Sequence, residues 1–261
     1  MSVPPGNIPI RTMGIKSNKF INRNATKLCV DYRTFRWNRR NSEEFRHLKL
    51  LAYWPIYGIL FFLLEAVRTP NRYFEMYCPL DDIIPFCELF AIPYFFWFVY
   101  LVGIHVYTLL YDIPAFKKLM RYIMVSWSAA LVIFFLFPSI QNLRVDSFAR
   151  DNILTDLVAF MYWLDSNTNV CPSLHVVGSF AVHFAARETK LYQKRGWRIF
   201  FYISTALICV STVFLKQHSV IDLVVGILVS VITYNLVYCP HRSRIPKLQT
   251  RKNHLNSVSL P

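Results

Sequence analysis

Six apolar runs, at residues 50–64, 88–111, 122–138, 171–186, 199–215 and 220–238, are separated by polar, charge-bearing stretches. A helix needs roughly 20 apolar residues to cross a ~30 Å hydrocarbon core. Runs near that length, repeated along one chain, predict a bundle of membrane-spanning helices. A chain that is 54% hydrophobic and 16% aromatic, with mean hydropathy +0.32, is too apolar for an ordinary water-soluble domain. The expected fold class is an all-α integral membrane protein with six transmembrane helices.

The basic residues set the orientation. The formal charge is +14, and the positive side chains gather in the tails and in alternate loops. They lie before the first run (Arg33, Arg36, Arg39, Arg40, Arg46), between the second and third (Lys117, Lys118, Arg121), after the fourth (Arg187, Lys190, Lys194, Arg195, Arg198) and after the sixth (Arg242, Arg244, Lys247, Arg251, Lys252). That is the positive-inside pattern, with attraction to anionic head groups added. It predicts a basic cytoplasmic tail over 1–47, a six-helix membrane domain over 48–238 and a second basic cytoplasmic tail over 239–261. No nucleic-acid module accompanies the charge, so no nucleic-acid partner is expected. No signal peptide is visible ahead of the first run. The stretch 153–164 has helix-like apolar spacing and aromatic residues toward its end, which fits a helix lying in the interface.

The six cysteines show no C-x-x-C and no metal-ligand spacing, so no metal or other cofactor is expected. Cys78 and Cys171 fall in segments expected on the outer face, where a bridge is allowed but nothing else argues for one.

Ionisable residues at membrane depth are costly and therefore functional candidates. Lys216 and His218 interrupt apolar sequence between the fifth and sixth runs, and Asp222 follows four residues after the histidine. On a helix that spacing places His218 and Asp222 one turn apart on one face, where a carboxylate can hold an imidazole N–H. Upstream, Pro172-Ser173-Leu174-His175 reads as a helix start, with free amide groups and the Ser173 hydroxyl as an anion site. The topology brings Arg144, Ser173, His175, Lys216, His218 and Asp222 to one membrane surface.

Together these stretches resemble the phosphatidic acid phosphatase and vanadium haloperoxidase superfamily of membrane lipid phosphatases. Its second signature, proline-serine-any-histidine, is complete as Pro172, Ser173 and His175. Its third reads serine-arginine, five residues, histidine, three residues, aspartate. Here Ser211, His218 and Asp222 stand at that spacing, and Thr212 replaces the arginine. The first, lysine, six residues, arginine-proline, is degenerate: Arg144 is kept, with Phe137 and Val145 at the other two places. Lys216-Gln217-His218-Ser219 looks closer to the branch of inositol-phosphoceramide synthase-like phosphotransferases.

The resemblance implies a six-helix core over most of 50–238 and metal-independent cleavage of a lipid phosphate ester. His218 would be the nucleophile, Asp222 its tautomer-fixing partner and His175 the acid and base. Arg144, Ser173, Lys216 and Ser211 would contact the phosphate. The expectation is a lipid phosphatase facing outward from a plasma membrane, a bacterial inner membrane for so compact a chain. The alternatives are a phosphotransferase moving a phosphoryl-alcohol group between lipids and a non-catalytic lipid-binding or transport protein.

Overall fold

The structure, a computed structural model, describes residues 28–67, 70 and 72–239. The start of the N-terminal tail and the basic residues from Arg242 to Lys252 lie outside the described residues. The main helices are α1 (Tyr53–Val67), the short α2 (Leu80–Ile83), α3 (Ala91–Tyr111), α4 (Ile113–Leu136), α5 (Ile153–Leu164), α6 (Leu174–Glu188), α7 (Arg195–Phe214) and α8 (Val220–Tyr238). Two residues of parallel pairing, β1 (Phe74–Glu75) with β2 (Ser139–Ile140), tie the loops after α1 and α4 together.

Among the described residues five helices are long and apolar enough to cross a membrane: Arg46–Val67, Glu88–Tyr111, Ile113–Leu136, Arg195–Phe214 and Val220–Tyr238. The chain is thus a helical membrane protein. The second and sixth expected runs coincide with their helices. The third begins nine residues earlier than expected, because Asp112 caps α4 through the amide of Ala115 and Pro114 occupies its first turn. Lys117, Lys118 and Arg121 therefore ride on a helix rather than in a loop. The run at 153–164 is a 12-residue helix, α5, opened by a capping box between Asn152 and Thr155.

The expected fourth span is the exception. At 15 residues α6 falls short of the roughly 20 a lipid crossing needs. Protein surrounds it instead, since α3, α4, α7 and α8 all pack against it. Small residues make this possible: Gly178, Ser179, Ala181, Ala185 and Ala186 are buried along its length. By contrast α1 keeps Ile56, Leu60, Phe62 and Leu63 exposed, as a lipid-facing helix does at no cost in hydrocarbon.

Close approach is most exacting at Gly178. A Cβ there would sit 2.8 Å from Cζ2 and Nε1 of Trp97 and 3.1 Å from Cη2 of Trp127. Overpacking a filled core costs about 1–3 kcal/mol. Gly178→Ala is expected to lower the thermal midpoint of the protein in detergent, whereas Gly103→Ala, with open space around it, is expected to leave it unchanged or raise it. Equal behaviour of the two variants would show that the α3–α6 contact is not tight.

Candidate active site

At one end of the bundle, a cavity of about 190 Å³ is lined by Phe61, Trp97, Asp165, Ser166, Thr168, Asn169, Val170, Pro172, Leu174, His175, Gln217 and His218. The chain reaches it from several directions, and each wall has a local cause.

The first wall is the turn between α7 and α8. Leu215, Gln217 and His218 donate their amides back to Ser211, Thr212 and Thr212 carbonyls, so the chain doubles tightly after α7. Lys216 takes a left-handed conformation, φ 52°, within this turn. Ser219 then caps α8: its Oγ accepts from the Ile221 amide at 3.2 Å, and Asp222 Oδ2 accepts from the Ser219 amide at 3.0 Å. The same Oδ2 lies 3.3 Å from Nδ1 of His218. The expected pairing of His218 with Asp222 is therefore present, but not on one helical face. His218 precedes the helix, and the carboxylate of a capping box reaches back to it. No protein partner meets the other ring nitrogen, Nε2, among the described residues.

The second wall is the start of α6. Ser173 occupies the N-cap position without a side-chain capping bond, and its amide donates to the Asp222 carbonyl at 3.3 Å. Its Oγ is buried without a partner among the described residues. Gly226 on α8 allows this approach, since a Cβ there would lie 3.0 Å from Val176 Cβ and 3.3 Å from the Ser173 carbonyl. His175 stacks on Tyr94 at 4.1 Å between ring centroids and packs against Trp97 at 4.3 Å. Its ring centroid is 6.3 Å from that of His218.

The remaining walls are Phe61 of α1, Trp97 of α3 and the loop that follows α5. Arg144 donates to the carbonyls of Tyr162, Asp165 and Ser166 and to Oε1 of Gln217, at 2.8–3.0 Å. Its guanidinium also lies over the Tyr162 ring at 4.9 Å. Glu65 of α1 accepts from Ser166 Oγ at 2.8 Å and from Thr168 and Asn169 at 3.4 Å. Tyr162 donates to the Leu215 carbonyl at 2.7 Å, which fixes α5 against the turn carrying His218.

Of the residues singled out from sequence, His175, His218, Asp222 and Ser173 are brought together. Arg144 stands behind the cavity wall with its terminal nitrogens committed, so it braces the wall and sets its charge rather than presenting a free fork. Lys216 and Ser211 do not reach the cavity. The Lys216 ammonium donates to the carbonyls of Asp81 and Ile84, both at 2.5 Å, and the Ser211 hydroxyl to the Ile208 carbonyl at 2.6 Å. Cys78 and Cys171 are both free thiols. Among the described residues no three His, Cys, Asp or Glu side chains group as metal ligands would.

Sequence reasoning missed Trp97, Asp165 and Gln217. Gln217 adjoins the motif residue His218, and its Nε2 is buried with no partner among the described residues. An unpartnered buried donor costs about 1–3 kcal/mol and fits a site awaiting an acceptor oxygen. Asp165 is exposed as a residue, but the protein packed round its carboxyl raises the pKa above 3.8, against the opposing pull of His218 and Arg144.

That shift carries a sign. The folded chain holds the Asp165 proton to higher pH than the unfolded chain does. Stability is therefore lost as pH rises from about 3.8 through the folded pKa. Asp165→Asn removes the loss, so the variant is expected to unfold at higher temperature than wild type at pH 7, with the difference shrinking toward pH 4. A difference of the same size at both pH values would show that the carboxyl charge is not its source.

No family model, no curated protein and no solved structure matches this chain.

Proposed function

We propose that this chain is a membrane enzyme that cleaves a lipid phosphate ester through a phosphohistidine. The observation that carries the reading is the pair of imidazoles 6.3 Å apart at one cavity, with a buried carboxylate on Nδ1 of only one of them. Asp222 on Nδ1 keeps the His218 lone pair on Nε2, aimed at phosphorus. The Nε2–P bond forms as the ester P–O bond breaks, and His175 gives a proton to the departing alkoxide. Water then attacks phosphorus and passes a proton to His175. The N–P bond breaks, returning neutral His218 and releasing phosphate. Gln217 Nε2 and the first-turn amides of α6 supply donors for the equatorial oxygens.

The finer topology belongs to the same proposal. With α6 completing the set, six helices alternate across the bilayer, both basic tails lie in the cytoplasm, and the cavity opens at the outer head-group level. A lipid phosphate reaches it there with its chains still in the membrane. A plasma membrane is the setting proposed.

A second reading draws support from the charge of the cavity. Its lining includes no arginine or lysine and does include Asp165. A monoanionic phosphodiester suits such a site better than a dianionic monoester, which favours transfer of a phosphoryl-alcohol group to a second alcohol.

The test uses purified protein in nanodiscs with metal chelated. Phosphatase activity is expected to release inorganic phosphate from phosphatidic acid or an isoprenyl diphosphate. An added alcohol that suppresses this release and yields a new phosphodiester would establish the transferase. With the protein folded, neither product from monoester or diester lipids, with inositol or ceramide as acceptor, would leave a non-catalytic lipid-binding protein.

A further inference from the structure

The end of the bundle opposite His175 and His218 holds a larger cavity, of about 430 Å³, between the close of α6 and the opening of α7. Three guanidinium-bearing residues line it: Arg187, Arg195 and Arg198. None of the three has a hydrogen-bond or ion-pair partner among the described residues. The neighbouring acid on α6, Glu188, is engaged by Lys118. Between the arginines lie Tyr192, Tyr202 and His183, whose buried Nδ1 has no partner among the described residues. The three guanidinium groups are exposed, and with no protein anion between them they focus a positive potential on a concave, partly aromatic cavity, which draws an anion to it.

We infer that this cavity binds the phosphate head group of an anionic phospholipid. Arginine is suited to this, because its planar fork grips phosphate oxygens in pairs. Lysine-borne or dispersed charge would serve topology equally well without forming a concave site. The surroundings favour a lipid over free phosphate. Arg195 opens α7, one of the helices long enough to cross the membrane, and Ile199, Tyr202 and Ile203 of its next two turns are exposed. A head group held by the arginines therefore has an apolar flank on which its chains can lie. Lys194 gives α7 no side-chain cap, so the first-turn amides add to the positive field.

The experiment uses the full chain in phosphatidylcholine nanodiscs with a minor share of phosphatidylglycerol, a diester with no terminal phosphate to release. Native mass spectrometry counts the phosphatidylglycerol retained after transfer to detergent. Wild type is expected to retain it, and Arg187→Gln/Arg195→Gln/Arg198→Gln to lose it. The charge-matched control Arg33→Gln/Arg36→Gln/Arg40→Gln is expected to keep it. Thermal unfolding in pure phosphatidylcholine checks that the variants fold. The series is repeated with His218→Ala, where retention is expected to persist, so a failed hydrolase reading and a failed lipid site give different results. Four outcomes would overturn the inference: no retention by wild type, undiminished retention by the triple variant, equal loss in the control, or displacement of the lipid by inorganic phosphate alone.

Discussion

His218→Ala is expected to bring lipid phosphate cleavage down to the uncatalysed background and to abolish labelling of the protein by a radioactive lipid phosphate. In the proposed mechanism His218 is the nucleophile and its removal deletes the covalent route itself, so the loss should exceed the about 10⁴-fold upper end of general acid–base effects. In the same proposal His175→Ala removes proton transfer only, and it is expected to slow turnover by about 10²–10⁴-fold while leaving a slow, acid-labile label on the protein. The two variants thus differ in kind as well as in degree. Because His175 packs on Tyr94 and Trp97, its truncation also opens space beside two rings. The thermal midpoint is followed alongside activity for that reason. Full activity in His218→Ala would end the phosphohistidine mechanism. An acid-stable label would move the nucleophile to another side chain.

How much of this was legible in the sequence depended on whether the physics was local. The Ser219–Asp222 capping box and the Asp222–His218 contact span four residues, so spacing alone found the pair, although a cap and not a helical face creates it. Helices 88–111 and 220–238 were legible because long apolar runs end where polar residues begin. The start of α4 was missed because hydropathy was weighed above Asp112 and Pro114, whose capping chemistry overrides three nearby cations. Length could not reveal why α6 is short, since that depends on four helices surrounding it. Lys216 illustrates the same limit within the site: its place in the motif suggested a phosphate contact, and its amine instead satisfies the carbonyls that end α2, more than 130 residues away. Gln217, a neutral residue beside a histidine, carried no signal until its buried amide proved unpartnered.

Asp81 is the strongest case of a residue invisible to spacing, and its removal carries the second large expected effect. Its side chain is buried at 1% exposure. Oδ2 accepts from the Cys78 amide at 2.8 Å and Ser219 Oγ at 2.6 Å, and Oδ1 accepts from the Val220 amide at 2.9 Å. One carboxylate thus fastens the loop before α3 to the first turn of α8, where a negative charge also meets the positive end of the helix. Its own carbonyl meanwhile accepts from Lys216, two residues before His218. Hydrogen bonds to a charged group contribute about 1.5–3 kcal/mol each, and each buried donor left without its acceptor costs about 1–3 kcal/mol. Asp81→Ala is expected to destabilise the protein by an amount of that order and to free the turn that aims His218. Asp81→Asn keeps one carbonyl oxygen and should recover part of the stability. A positioning role predicts that the Asn variant binds lipid with nearly unchanged KM but turns it over more slowly, because the imidazole is held less firmly while the cavity persists. If Asp81→Asn lost stability with kcat unaltered, Asp81 would be a fastening of the fold alone. If Asp81→Ala unfolded like wild type, the α2 loop would not brace the site at all.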